Sequence, residues 1–309
     1  MSLYQKYRPK KLSQVRGNEE TKQALTKMLT EDRENCPHVF LFHGETGCGK
    51  TTLARIVANM LGCNIESSDY SEINFADLRG IDTIREIIKQ SQFAPFESDC
   101  RVWVMDECQK MTGDAQNALL KILEDTPSHV YFILCTTDPQ KLLSTIRGRC
   151  SQFQVKPLDD ENLTNLLIRI TIKEGQEQLS EEIYQEIIKS SEGRVRNAIQ
   201  TLEQVLSVSD EQRIEIIKKN NEEQKQAIDL CRALINPKTN WKTVQIILNG
   251  LKETDPERIR RAVIGYASNT LLNKDMVICG LILDEFSEDT FINGFNQIVR
   301  ASYSVIKNR

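Results

Sequence analysis

The sequence predicts an α/β core followed by an all-α region, on three observations. Short apolar runs alternate with helical patterns over the first 156 residues; a glycine-rich phosphate-binding motif follows the first of those runs; and after Pro157 the texture changes to 3.6-residue periodicity. Strand–helix alternation is the mark of a mostly parallel sheet flanked by helices. At 309 residues the chain has room for about two domains of ~150 residues each. The expected divisions are 1–156, a helical segment 157–208, and a second helical segment 209–309.

Taken in order, His38 to His43 (HVFLFH), Arg101 to Met105 (RVWVM), Val130 to Cys135 (VYFILC) and Gln152 to Lys156 (QFQVK) read as strands, with Glu72 to Phe75 a weaker fifth. Thr51 to Leu61 and Thr83 to Gln92 read as helices. Beyond Pro157, Asp160 to Lys173, Ser180 to Ser190 and Arg194 to Leu206 carry helical spacing, and Glu192-Gly193 breaks the second from the third. The polar stretch Ser209 to Arg213 marks a boundary. After it, Glu222 to Ile235, Trp241 to Leu251, Pro256 to Leu272, Lys274 to Phe286 and Thr290 to Lys307 read as a helical bundle, punctuated by Asn236-Pro237 and Asp255-Pro256. Asp255 is placed as an N-cap with Pro256 at the first helical position.

Composition narrows the function classes. Hydrophobic residues at 39% and charged residues at 27% describe a folded chain rather than a disordered one. Forty Lys and Arg against forty-four Asp and Glu leave a net charge of −4, which argues against a general polyanion binder. A basic cluster at Lys6, Arg8, Lys10, Lys11 and Arg16 reads as a solvated face or as a local phosphate-binding patch. No run approaches the ~18 apolar residues of a membrane span, and Met1 to Lys11 lacks the apolar middle of a secretory signal, so no membrane partner and a cytosolic location are expected. The nine cysteines contain no C-x-x-C and are odd in number, and His38, His43 and His129 are scattered. Free thiols and no structural metal are the expectation.

The chemistry lies in two motifs. Gly44-Glu45-Thr46-Gly47-Cys48-Gly49-Lys50-Thr51 fits G-x-x-x-x-G-K-[ST] between a strand and a helical pattern, the context that confirms a nucleotide site. Its glycines let backbone N–H groups turn toward a β-phosphate, Lys50 reaches the β and γ oxygens, and the Thr51 hydroxyl ligates Mg²⁺. The nucleotide-binding stretch is carried on to Thr52. Asp106-Glu107 closes the strand from Arg101, which puts two carboxylates at the carboxyl edge of a parallel sheet, where such sheets bind ligands. Asp106 is assigned to the Mg²⁺ shell and Glu107 to polarising the attacking water. Thr136-Thr137 follows the strand from Val130 and offers hydroxyls near the same edge.

Leu3 to Pro9 (LYQKYRP), Val15-Arg16-Gly17-Asn18-Glu19, the P-loop, Asp77 to Asp82 (DLRGID), Asp106-Glu107, Thr136 to Pro139 (TTDP), Arg147 to Cys150 (RGRC) and Gly193 to Arg196 (GRVR) occur in the order seen in clamp-loader ATPases of the AAA+ superfamily. The chain resembles the small subunits of replication factor C and the motor subunit of the bacterial clamp loader over about residues 3 to 205. The resemblance implies an AAA+ P-loop core with a parallel sheet, a small helical lid and a C-terminal helical collar that holds subunits in a ring or spiral, expected to be a pentamer. It implies ATP and Mg²⁺, a sliding clamp and primer-template DNA as partners, and a cytoplasmic setting, nuclear in a eukaryote or the host cytoplasm for a virus.

Carried over by position, Tyr4, Tyr7, Arg8, Pro9, Val15 and Arg16 border the adenine pocket. Thr137 matches sensor 1, Arg196 matches sensor 2, and Arg149 matches the arginine finger that enters a neighbouring subunit's site. Gly148 stands where the family has Ser. Only Cys63 lies where the bacterial motor subunit has a zinc-binding cysteine cluster, which favours the replication factor C type, whereas Thr at sensor 1 favours the bacterial type. DNA contact, tracking phosphates without base readout, is assigned to Arg79, Arg85, Lys89 and Lys110. Two other readings stay open: an AAA+ DNA motor of the branch-migration helicase type, which would need a further DNA-binding module after the lid, and a non-hydrolysing scaffold subunit of the loader.

Overall fold

Five strands form one sheet in the order β2-β3-β4-β1-β5, and all four pairings are parallel. They are β1 (Val39–His43), β2 (Tyr70–Asn74), β3 (Arg101–Asp106), β4 (Val130–Thr136) and β5 (Ser151–Gln154). The computed structural model describes residues 1–31, 35–77, 80–191, 193–209, 213, 225–274, 276–288, 290 and 293–309. The chain divides into two units, Met1–Val208 and Ser209–Arg309.

The central strands are apolar and buried through their middles because both faces of the sheet are covered. Alternate side chains go to opposite faces. Phe40 and Phe42 of β1, Val102 and Val104 of β3, and Ile133 and Cys135 of β4 join one core with Leu53, Ala54 and Val57 of the Lys50–Met60 helix. Val39 and Leu41, Trp103 and Met105, and Phe132 and Leu134 join the other with the Ile81–Gln90 and Gly113–Glu124 helices. Burying each such side chain contributes roughly 1.5–3 kcal/mol. β2 lies at the sheet's edge, so its alternation is diluted by the half-exposed Tyr70 and Glu72, and Glu72 accepts both Arg55 bonds at 2.7 and 2.9 Å. That edge position explains the weak strand signal.

The Gly113–Glu124 helix has no counterpart among the expected elements. Its first turn, Gly113-Asp114, reads as a loop, yet Thr112 caps it by accepting from Ala115 N at 3.3 Å, and Ala115, Leu119, Ile122 and Leu123 then face the core. The Glu19–Thr26 helix was likewise not expected. After β5, helices Asp160–Lys173, Glu181–Ser191 and Val195–Leu206 complete the first unit. The described part of the second unit is helical: 225–235, Trp241–Gly250, Pro256–Asn273, Val277–Glu285 and Phe295–Asn308 around one apolar core. Asp255 accepts from Glu257 N at 3.0 Å ahead of Pro256 at the helix start, as its sequence implied.

A buried carboxylate ties β3 into place. Asp69, 1% exposed, accepts the backbone N–H groups of Phe96, Glu97 and Ser98 and pairs with Arg101 at 3.3 Å. Burial by itself would raise its pKa, but the three N–H bonds and the Arg101 charge outweigh burial and hold it below the usual carboxylate value. A depressed pKa in the folded state means that this stabilisation is complete above pH ~4 and is lost as pH falls through the folded value. Asp69→Ala leaves three donors and a guanidinium without their acceptor and is expected to cost about 3–5 kcal/mol, read as a fall in urea midpoint at unchanged slope.

Candidate functional site

β3, β4 and β1 are neighbours, so their carboxyl ends bring Asp106-Glu107, Thr136-Thr137 and Gly44–Lys50 to one edge of the sheet. That edge is where open parallel sheets bind ligands. The P-loop turns there because three glycines at positive φ, Gly44, Gly47 and Gly49, permit it. Gly44 has φ +152°, and a Cβ on it would stand 2.1 Å from Val155 O; Gly49 has φ +104° at the N-cap of the Lys50–Met60 helix.

Lys50 is 5% exposed, and its Nζ donates to Gly44 O and Glu45 O, each at 2.9 Å. The ammonium is thus held inside the curve of the loop at a helix N-terminus, a setting that attracts phosphate. Thr51 Oγ1 donates to Asp106 Oδ2 at 2.7 Å, linking the first turn of that helix to the end of β3. Two hard oxygen groups beside a phosphate cradle are the donor set Mg²⁺ takes when phosphates and water supply its other ligands, so these residues fit the ion. Cys48 sits buried in the loop, where burial and then the Glu45 charge push its thiol pKa up, so no thiolate opposes an anionic ligand.

Glu107 adopts φ +52°, an uncommon conformation for a residue with a Cβ and one that concentrates at working sites. Its N–H donates to Asp106 Oδ1 at 2.9 Å, and its carboxylate accepts from Gln109 Nε2 at 2.5 Å. The same nitrogen donates to Thr137 Oγ1 at 2.8 Å. Gln109 was not among the residues expected from sequence; its only signal is its place two residues after Glu107.

The N-terminal residues divide. Tyr4 lies against two guanidinium groups, with the Arg8 and Arg196 carbons each 4.9 Å from its ring centroid. Both donate to its hydroxyl, Arg196 Nη2 at 3.1 Å. Arg196 N also donates to Gly47 O at 3.4 Å, and Arg194 pairs with Glu45 at 3.2 Å, which docks the start of the Val195–Leu206 helix on the P-loop. Tyr7 instead donates to Glu174, beside the Lys6–Glu174 ion pair. Val15 packs on the first core and its carbonyl accepts from Lys22 Nζ at 3.0 Å; Pro9 is half-buried and Arg16 exposed.

Arg149 is held within its own chain, where Nη1 donates to Thr145 O at 2.8 Å and Nη2 pairs with Glu124. Gly148 has ordinary helical φ and ψ of −67° and −16°, so no glycine-specific backbone is used there. The basic residues assigned to DNA are exposed: Arg85 pairs with Asp82 at 2.9 Å, and Lys89 and Lys110 project at the surface. Arg79 lies outside the described residues. No two of the nine cysteines form a disulfide, and no group of metal-ligating side chains occurs among the described residues. No helix of the described residues is long and apolar enough to cross a membrane.

Comparison with known proteins adds the following. The family described as DNA polymerase III, delta subunit, matches residues 66–159. The DNA polymerase III subunit gamma/tau of Mycobacterium bovis is 35% identical over 228 residues, covering 67% of this chain and 39% of that protein. Subunit tau of Escherichia coli K12 is 34% identical over 231 residues (68% and 35%), and subunit gamma of Buchnera aphidicola is 31% identical over 226 (67% and 61%). The chain thus spans well under half the length of the first two. The Thermotoga maritima RuvB Holliday junction branch migration motor superposes with a TM-score of 0.59 at 21% identity, covering 74% of this chain and 80% of that one, a likeness of fold.

Proposed function

This chain is an AAA+ homologue of the gamma/tau subunits of DNA polymerase III, and on that premise we propose that it is an ATP-hydrolysing clamp-loader subunit. The observation that carries the reading is the intact set Lys50, Thr51, Asp106, Glu107 and Thr137 gathered at one sheet edge. Glu107, assigned to hydrolysis rather than binding, argues against a non-hydrolysing scaffold.

In this reading Lys50 exchanges its two carbonyl partners for phosphate oxygens, and Thr51 and Asp106 hold Mg²⁺. When bound, the ion neutralises charge on the phosphate oxygens. Glu107 takes a proton from the attacking water, Thr137 donates to the γ-phosphate, and Arg196 reaches the nucleotide from the 157–208 segment, which acts as the lid. Tyr4 and Arg8 border the adenine with Tyr7, Pro9, Val15 and Arg16. Arg149 completes the site of a neighbouring subunit. Residues 209–309 act as the collar of a ring or spiral, and Arg85, Lys89 and Lys110 track phosphates of primer-template DNA. A ligand shifts such an assembly only through different contacts in its two states, and a site shared between subunits meets that requirement. ATP occupancy then holds the spiral that opens the clamp, and hydrolysis releases clamp and DNA, in the cytoplasm of a bacterial cell.

The test is ATP turnover of the assembled loader with and without its clamp and primed DNA. Clamp and DNA together are expected to raise turnover at least about tenfold, a barrier change of ~1.4 kcal/mol. Processive strand displacement with no clamp present would favour the branch-migration reading instead, and absence of turnover with every partner combination would favour the scaffold.

A further inference from the structure

Gln109 stands between the two side chains that the proposed hydrolysis uses on water and γ-phosphate, and it belongs to neither motif. It is 9% exposed. Its Nε2 donates to Glu107 Oε2 at 2.5 Å and to Thr137 Oγ1 at 2.8 Å, while its Oε1 accepts from Thr136 Oγ1 at 2.7 Å. The amide has one consistent orientation. The Glu107 carboxylate accepts and does not donate, so the amide nitrogen must face it; Oε1 then faces the fully buried Thr136 hydroxyl, which accepts the N–H of Asp138 at 3.0 Å and gives its single proton to Gln109 Oε1. With Oε1 engaged, both Nε2 protons are committed, one to the carboxylate and one to the Thr137 hydroxyl.

The bonding fixes polarity at both ends. Thr137 Oγ1 serves Gln109 as an acceptor, so its own proton is free to be donated to a phosphate oxygen. Glu107 Oε2 is anchored, so Oε1 is left to receive a proton from water, and the carboxylate is steadied although its backbone sits at φ +52°. We propose that Gln109 is a positioning residue for ATP hydrolysis, a bridge that sets the donor direction of Thr137 and the angle of Glu107 together. The inference rests on the ATPase reading above.

The experiment compares single-turnover hydrolysis and ATP affinity in the assembled loader for the parent, Gln109→Met and Gln109→Glu, each also in a Thr137→Val background. Met keeps the length and removes the bonds; Glu keeps the shape, cannot donate from that position when ionised, and sets a second carboxylate against Glu107. Turnover is expected to fall about 100-fold in both, with ATP affinity within about twofold of the parent. In the Thr137→Val background, where one arm of the bridge is already cut, Gln109→Met is expected to cost at least about fivefold less than it does alone. Turnover within about threefold of the parent, or an equal loss in both backgrounds, overturns the proposal while the parent's own hydrolysis leaves the ATPase reading standing. A parent that does not hydrolyse ATP sinks both. If Gln109→Met fails to fold, judged by its melting curve and ATP affinity, Gln109→Glu decides by the same criteria.

Discussion

Glu107→Gln is expected to lower ATP turnover by at least about 10³-fold while ATP affinity stays within about twofold. The substitution removes the base and little else. Glutamine keeps the length and shape of glutamate, and its carbonyl oxygen can still accept the bond from Gln109 that the carboxylate accepts now. Thr51 and Asp106 remain joined at 2.7 Å, and Lys50 remains seated in the loop, so the groups assigned to Mg²⁺ and phosphate are untouched. The measurement pairs equilibrium binding of a fluorescent ATP analogue with single-turnover hydrolysis. A variant that hydrolyses within tenfold of the parent would remove Glu107 from the role of base.

What could be read in advance follows from how local each signal is. The P-loop and β1 were legible because the motif needs glycine φ values, a lysine and a hydroxyl within eight residues, and the strand before it is apolar on both faces. β3 with Asp106-Glu107 and the three helices from Asp160 were legible for the same reason of sequence-local patterning. The Gly113–Glu124 helix was hidden because its core-facing residues sit behind a Gly-Asp start whose cap belongs to the preceding threonine. Gln109 was hidden for a different cause. Its importance arises only when β3 and β4 lie side by side, since Thr136 and Thr137 are 27 and 28 residues away in sequence. The Glu124–Arg149 pair, 25 residues apart, is invisible in the same way.

Cys63 and Thr137 were opposed signals of type. The isolation of Cys63, where the bacterial motor subunit carries zinc-binding cysteines, favoured the replication factor C type and Thr at sensor 1 the bacterial type, and the relatives at 31–35% identity include gamma and tau subunits from several bacteria. Cys63 is 1% exposed in the same apolar cluster as Cys100 and Leu61. It fills core volume there as a small apolar side chain.

Arg149→Ala is expected to cut turnover by about 10³-fold without lowering stability, and the loss is expected to be repairable from outside the mutated subunit. Arg149 now pairs with Glu124 at a partly exposed site, the two side chains being 34% and 54% accessible, and such pairs contribute about 1 kcal/mol at most. The guanidinium can therefore leave Glu124 for a phosphoryl group at small cost. In a ring of this chain, Lys50→Ala subunits keep the finger and lose the cradle, whereas Arg149→Ala subunits keep the cradle and lose the finger. Neither turns over alone. Mixed in equal amounts, about half the subunits carry a working cradle and about half of those face a neighbour with a working finger, so roughly a quarter of the parent's turnover should return. A finger acting within its own chain predicts none, because every subunit then lacks one half of its own machinery. Turnover of the mixture, followed against the mixing ratio, separates the two arrangements: a flat line at the level of the single variants would place Arg149 in its own chain's site, and an Arg149→Ala variant that keeps the parent's turnover would place the catalytic arginine elsewhere.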